Sequence, residues 1–256
     1  MADIATLNGV AEDNVAIFSG AADDTADTVN GVTWPHAVVN NSGLWVRSQD
    51  DKMTQTFSSS GDDQKMTIAF WLKRSVTTNQ TEAFLSAGTT PESQIKLFND
   101  NVRVNLRDGA NNTDANIAIN DTNWHQLTFH FDTANATAAD RLKLWVDGTL
   151  AGWSGTLTQN INTLFGDNVI HRIGDTLNDI QNLDALVTHY YRIDGSLVAY
   201  TNFIDGSGSP LDYTTDPGTN GWKLIFENAS DLGEDSSTQG NDWTNSGVTQ
   251  SSTVPT

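Results

Sequence analysis

The sequence predicts an all-β protein: two antiparallel sheets packed as a β-sandwich, preceded by an extended N-terminal arm. Three observations carry the prediction. Apolar residues recur at every second position in run after run, which is the side-chain period of a strand with one face buried. Clusters of Gly, Asn, Asp and Pro separate these runs at the spacing of an antiparallel all-β domain. Helical periodicity is nearly absent from the 256 residues, with one short turn expected within Ala134–Asp140.

Residues 1–42 read as the arm. They carry Asp23, Asp24 and Asp27, two Asn-Gly pairs (Asn8-Gly9 and Asn30-Gly31) and an isolated Trp34-Pro35. So little apolar pattern cannot bury a core of its own, and the arm is expected to order against the domain or a neighbouring chain. The sandwich is expected over 43–228, with a C-terminal hairpin and tail packed on it over 229–256. Met66, Ile68, Phe70 and Leu72 alternate with Thr67, Ala69, Trp71 and Lys73; Val102, Val104 and Leu106 with Arg103, Asn105 and Arg107; Leu127, Phe129 and Phe131 with Gln126, Thr128 and His130. Leu142, Leu144 and Val146 then alternate with Lys143, Trp145 and Asp147. That run stops at Asp147-Gly148, a pair whose tolerance of positive φ suits a tight hairpin turn. Trp71 and Trp145 fall on the face opposite the apolar one, which predicts loops covering the outer surface as well. Further strands are expected at about 84–87, 95–98, 116–119, 169–173, 185–193 and 222–227.

Composition narrows the function. The hydrophobic share is 37%, but eight Trp and ten Phe supply bulky core material. The net charge of −19, from 32 acidic against 13 basic residues, repels a phosphate backbone and argues against nucleic-acid binding. No cysteine is present, so neither disulfides nor thiolate chemistry enter. The opening MADIATLNGV lacks the basic-then-apolar pattern of a secretory signal. No run approaches the roughly 18 apolar residues of a membrane span.

Four pieces, MTIAFWLKR (66–74), NWHQLTFHFD (123–132), LKLWVDGTL (142–150) and HRIGD (171–175), stand in an order that resembles the concanavalin A-like lectin/glucanase superfamily and, within it, the laminin G-like jelly rolls. A narrower resemblance lies in LDALVTHYYRIDGSL (183–197) followed by GTNGWKLIFENASDLGEDSSTQGNDWT (218–244), which is similar to a pattern in structural proteins of tailed, often marine, bacteriophages. The first resemblance implies a jelly-roll sandwich. The second implies a virion structural protein, and the end at Thr256 suggests a short, single-module one.

The chemistry that glucanases of this fold use needs paired carboxylates flanking the scissile bond, presented as Glu-x-Asp-x-(x)-Glu. The five glutamates, Glu12, Glu82, Glu92, Glu227 and Glu234, form no such run. Gly-x-Ser-x-Gly, His-Glu-x-x-His and P-loop motifs are absent. His36, His125, His130, His171 and His189 are scattered and read as structural, with His125 and His130 on opposite faces of one strand. No catalytic or cofactor-binding residue is assigned. Calcium, which needs several oxygen ligands, has candidates in Asp231, Asp235, Asn241 and Asp242, and in Asp100, Asn101 and Asp108; capping of their own turns is the favoured reading. Trp153, Trp222 and Trp243 sit beside turns and are candidates for a glycan platform or an intersubunit contact.

The expected function is therefore a non-enzymatic virion structural protein, a capsid decoration or cement subunit on the outer surface of a phage particle, made in the host bacterial cytoplasm. Its expected partners are the major capsid protein, other virion proteins and copies of itself, with a trimer favoured. The alternatives are a tail-associated adhesin binding host surface glycans and a degenerate glucanase-like carbohydrate-active protein.

Overall fold

The computed structural model describes residues 39–255, apart from 78–79, 108, 110 and 179–180, together with four short strands nearer the N-terminus. Those four pair as β1 (Thr6–Leu7) with β2 (Val10–Ala11) and β3 (Asp27–Val29) with β4 (Val32–Trp34), on either side of the two Asn-Gly pairs. The rest of the expected arm up to residue 38 lies outside the described residues.

The domain itself is built from β5 (Ser42–Trp45), β6 (Lys52–Thr56), β7 (Lys65–Arg74), β8 (Glu82–Gly88), β9 (Glu92–Phe98), β10 (Asn101–Leu106), β11 (Asn111–Ala118), β12 (Trp124–Asp132), β13 (Leu142–Val146), β14 (Thr149–Leu150), β15 (Ile170–Ile173), β16 (Ala185–Asp194), β17 (Trp222–Leu224), β18 (Thr244–Ser246) and β19 (Thr249–Ser251). They form a two-sheet antiparallel sandwich, as the alternating runs predict. One sheet has the order β11-β10-β9-β8-β15-β6-β18; the other is β14-β13-β12-β7-β16-β5-β19, with β17 paired to β16 beside β5. The turn expected near Ala134–Asp140 is a single 3-10 turn over Ala138–Asp140.

The strongest sequence runs make the centre. β7 and β12 pair without a register shift, setting Phe70 opposite Leu127, Ile68 opposite Phe129 and Met66 opposite Phe131. Because side chains alternate faces, this one register sends all six into the space between the sheets, where they meet Ile95, Leu97, Val102 and Val104 from the facing sheet. β16 then crosses β7 with an irregularity between Thr188 and Tyr191, where His189 takes φ 47°. The extra residue puts Tyr190 in the inner core and Tyr191 in a second cluster on the outer face.

That outer cluster answers the question posed by Trp71. Ala69, Tyr191, Ile193 and Phe203 are buried there with Val198 and Tyr213 beside them, under the connection after β16. Trp71 is buried as well, and its Nε1 donates to the Phe203 carbonyl at 3.3 Å.

The C-terminal segment departs from the expected hairpin. β18 pairs with β6 in one sheet and β19 with β5 in the other, so the two strands close the same side of the sandwich rather than each other. The corner between them is set locally. Asn245 Oδ1 accepts from the Val248 amide at 3.1 Å and its Nδ2 donates to the Val248 carbonyl at 2.9 Å. Gly247 has φ 91°, and a Cβ there would sit 2.0 Å from Asp51 Oδ1, so only glycine fits. Beyond the corner, Ser42 Oγ donates to the Thr253 carbonyl at 2.8 Å, which brings the two ends of the domain together.

One cluster of buried charge ties β7 to β8. The Arg74 and Glu82 side chains are both 0% exposed and joined at 3.0 Å; Arg74 also holds Asp100 at 2.8 Å and the Ile119 carbonyl, while Arg47 takes the other Glu82 oxygen at 2.7 Å. Burial pushes the Glu82 carboxyl up, and the two arginines pull it back. No helix among the described residues is long and apolar enough to cross a membrane.

Breaking this clamp from one side leaves Arg74 buried and under-compensated. Glu82→Ala is expected to cost about 3–5 kcal/mol, read as a lower denaturant midpoint at unchanged slope. Lys143→Ala, which removes an exposed pair with Asp140, is expected to cost under ~1 kcal/mol.

Candidate functional site

The sequence candidates in the C-terminal segment separate into a latch and a core. Asp235 is buried, and both its carboxylate oxygens are occupied. Oδ1 accepts from the amides of Lys223 and Ser237, each at 2.9 Å; Oδ2 accepts from Ser237 Oγ at 2.9 Å and the Asn241 amide at 2.8 Å. Asn241 Nδ2 reaches the carbonyls of Thr219 and Gly221 at 2.9 and 2.7 Å, and Asp242 Oδ1 accepts from the Asp235 amide at 2.9 Å. Asp231 Oδ1 takes the Gly233 amide at 3.2 Å. These residues fasten the loop after β17 to β17 itself. An ion at Asp235 would have to displace four hydrogen bonds, and no group of three or more His, Asp or Glu among the described residues is placed to hold a metal. Of the second calcium set, Asp100 holds Arg74 in the buried clamp and Asn101 Nδ2 donates to the Asn99 carbonyl at 3.2 Å; Asp108 lies outside the described residues.

Two of the three tryptophan candidates are corrected by their burial. Trp222 is 0% and Trp243 is 2% exposed, and their rings meet edge to face at 5.1 Å. Trp222 in turn meets Tyr190 at 4.9 Å. Turn residues flank both tryptophans in the sequence, but β17 lies against β16 and the latch folds Trp243 back over it. Their rings are core, unavailable to a glycan or a neighbouring subunit.

Trp153 is different. It lies just past the β13–β14 hairpin, pairs across to Ala115 and rests on the core while staying partly exposed. It lines a shallow groove of about 260 Å³ with Ala138, Ala139, Leu150, Gly152 and Lys143. Leu150, on the outermost strand of its sheet, is 55% exposed. Small residues keep the walls low, and Lys143, paired with Asp140 at 2.8 Å, supplies polar groups at the rim. The Trp153 indole N–H is buried, without a partner among the described residues, so the groove is offered the ring and not this donor. An apolar floor with a few polar groups at its edge is the geometry that holds a sugar ring. Leu150 and Lys143 were not candidates in the sequence. Their signal is a leucine out of phase just after Asp147-Gly148, where alternation would have closed with a polar residue.

The carboxylates and histidines are held in structural roles. Glu82 is in the buried clamp. Glu92 Oε1 accepts from the Leu177 amide at 2.8 Å and Oε2 from Gln94 at 2.7 Å. Glu234 Oε2 accepts from Asn228 at 2.7 Å. His125 lies between Asp147 at 2.7 Å and Asp121 at 3.0 Å, and the Asp147 bond raises its pKa. His130 Nε2 donates to the Val198 carbonyl at 2.6 Å on the outer face. His171 and His189 are buried, and loss of solvent lowers each from 6.5 to about 4. His36 lies outside the described residues.

The concanavalin A-like lectin/glucanases superfamily, through its laminin G-like family, matches residues 47–197, more than half of the chain. No curated protein matches by sequence. A Bacteroides ovatus protein provisionally described as carbohydrate binding superimposes with a TM-score of 0.61 at 12% identity, over 84% of this chain and 60% of that one. A heptameric SAP-like pentraxin of Limulus polyphemus aligns with a TM-score of 0.49 at 10% identity, over 65% of this chain and 81% of its own. At such identities the likeness is one of fold.

Two predictions follow from the latch and the buried imidazoles. Asp235→Ala is expected to lower stability by about 2–4 kcal/mol through lost and orphaned hydrogen bonds, while the melting temperature of the unmodified chain stays the same in calcium and in chelator. On acidification, unfolded chains bind protons at His171 and His189 first, so stability falls between pH 6.5 and about 4, by about 3 kcal/mol for each histidine at ~1.4 kcal/mol per pH unit. Asp63, raised by burial to about 6, takes its proton first in the folded chain and opposes part of that loss. His189→Asn, which keeps a side chain suited to positive φ, is expected to remove one histidine's share of the slope in denaturation measured from pH 7 to 4.

Proposed function

From the premise that the chain belongs to the laminin G-like family of the concanavalin A-like lectin/glucanases superfamily, we propose that it is a non-enzymatic binding protein whose ligand is a carbohydrate seated on Trp153. The observation that carries this reading is the partly exposed Trp153 over an apolar groove edged by Lys143. Glu82 is held in an ion-pair clamp and Glu92 on a backbone amide, and neither belongs to a paired-carboxylate run. A degenerate glucanase has correspondingly less support.

We assign the protein to the outer surface of a bacteriophage particle. The support is the resemblance of residues 183–197 and 218–244 to phage structural proteins, together with a strongly acidic surface that keeps a crowded assembly soluble. In that setting a tail-associated adhesin that grips a host surface glycan uses the groove directly. A capsid decoration subunit, bound as a trimer to the major capsid protein, is the second reading, favoured by the same resemblance and by the paired domain ends.

Glycan-array screening of the intact chain, followed by calorimetry, tests the ligand. Trp153→Ala is expected to weaken binding at least tenfold while the chain stays folded at a somewhat lower melting temperature, because the ring also packs on the core; binding that survives it discards the groove. Imaging of particles with an antibody to the chain tests the setting, and absence of label from both head and tail discards it.

A further inference from the structure

The groove at Trp153 is bordered by a second one, and one two-residue strand separates them. Leu150 of β14 lines the first; its neighbour Thr149 lines the second, an open groove of about 480 Å³ that also takes in Asp147, Tyr200, Thr201, Asp205 and Ser207. Thr149 and Leu150 are consecutive in β14, so this strand is the ridge between the two grooves. Leu150 is also the register partner of Trp145, and directly paired residues project from the same face of a sheet. Trp145 stacks on Tyr200 at 5.8 Å with 25° between the rings, and His130 meets its edge at 4.6 Å. Tyr200, Trp145, Leu150 and Trp153 therefore form an apolar track around the outermost hairpin of the eight-stranded sheet.

The track is rigid. Asp147 and Gly148 hold φ of 49° and 75°, the hairpin turn expected from the sequence. A Cβ at Gly148 would come within 3.2 Å of the Tyr200 ring, so the ring seats directly on the turn. His125 and the Gln126 amide hold the Asp147 carboxylate at 2.7 and 2.8 Å. The His130 bond to the Val198 carbonyl ties the same face to the chain leading to Tyr200.

We infer that this track binds a linear, neutral oligosaccharide, with one sugar on Trp153 and another on the Trp145–Tyr200 platform. The inference rests on the reading of Trp153 as a glycan contact and extends it from a single sugar to a chain. Two apolar platforms divided by a narrow ridge match the spaced C–H faces of consecutive pyranoses, while Thr149, Thr201 and Ser207 offer hydroxyls to theirs. Charge selects against acidic sugars. The second groove presents the carboxylates of Asp147 and Asp205 with no basic side chain in its lining, and hydrogen bonds from Ser207 and neighbouring amides lower the Asp205 pKa against the opposing effect of burial. At the first groove, Lys143 is already paired with Asp140. A uronic or sialic acid would meet repulsion at the second groove and no net attraction at the first.

The test is calorimetric titration of the intact chain with laminari-, cello-, manno- and agaro-oligosaccharide ladders, and with alginate oligosaccharides as the acidic counterpart. In at least one neutral series the affinity is expected to rise about tenfold or more from the monosaccharide to the disaccharide and longer members. Tyr200→Ala is expected to cancel that rise and leave every length at the monosaccharide's affinity, whereas Trp153→Ala loses binding at every length. Leu150→Asp, at an exposed position where folding is undisturbed, serves as a second block of the track and is expected to cancel the rise as well. An affinity independent of length, a rise that survives both blocking variants, or tighter binding of alginate overturns the inference while leaving the Trp153 reading in place. Failure of every ladder to bind overturns both. If Leu150→Asp instead splits an oligomer and glycan affinity does not change, the track is a contact between copies of this chain and the inference falls.

Discussion

Rings in stacked, tilted and edge contact run through the middle of the molecule from Phe129 to Phe70, Tyr190, Trp222 and Trp243. Each lies on a different piece of chain: β12, β7, β16, β17 and the C-terminal loop. Without disulfides, this column is what joins the predicted central strands to the last part of the sequence, and each such contact adds to the burial of a large side chain. The irregularity at His189 is its enabling detail. It sends Tyr190 inward to the column and Tyr191 outward to Phe203, so one bulge anchors layers on both faces of the sheet.

The fold was legible where the physics is local. Period-2 alternation located β7, β10, β12 and β13, and the hairpin at Asp147-Gly148 followed from positive-φ tolerance alone. Trp71 and Trp145 on the wrong face announced that the outer surface is covered. The short strands β18 and β19 were not legible as sheet members, because Thr-Asn-Ser and Thr-Gln-Ser carry no apolar alternation and join two sheets by position only.

The candidate site was legible only in part. Trp153, Trp222 and Trp243 look alike in sequence, each beside a turn, yet only one is partly exposed. What separates them is long-range: Trp222 and Trp243 are claimed by Tyr190 and by the Asp235 latch, contacts that join distant parts of the chain. The acidic run behaved similarly. Asp235 and its neighbours look like ion ligands by composition, but their oxygens are consumed by amides a few residues away. Tyr200 carried no signal, since its partner Trp145 lies 55 positions earlier and meets it only after the sheet has formed.

The hydrogen bond from Ser42 to the Thr253 carbonyl has a mechanical meaning. It places both exits of the domain beside β5 and β19, at one margin of the eight-stranded sheet, whereas β14 and its apolar track occupy the opposite margin. A force applied at β14 and resisted at this margin crosses every strand of that sheet. Such a load acts across the strands and places their ladders in series, so the two-pair ladder between β13 and β14 is the first to open. The exposed hairpin and the joined ends of the domain thus lie at opposite margins of one sheet.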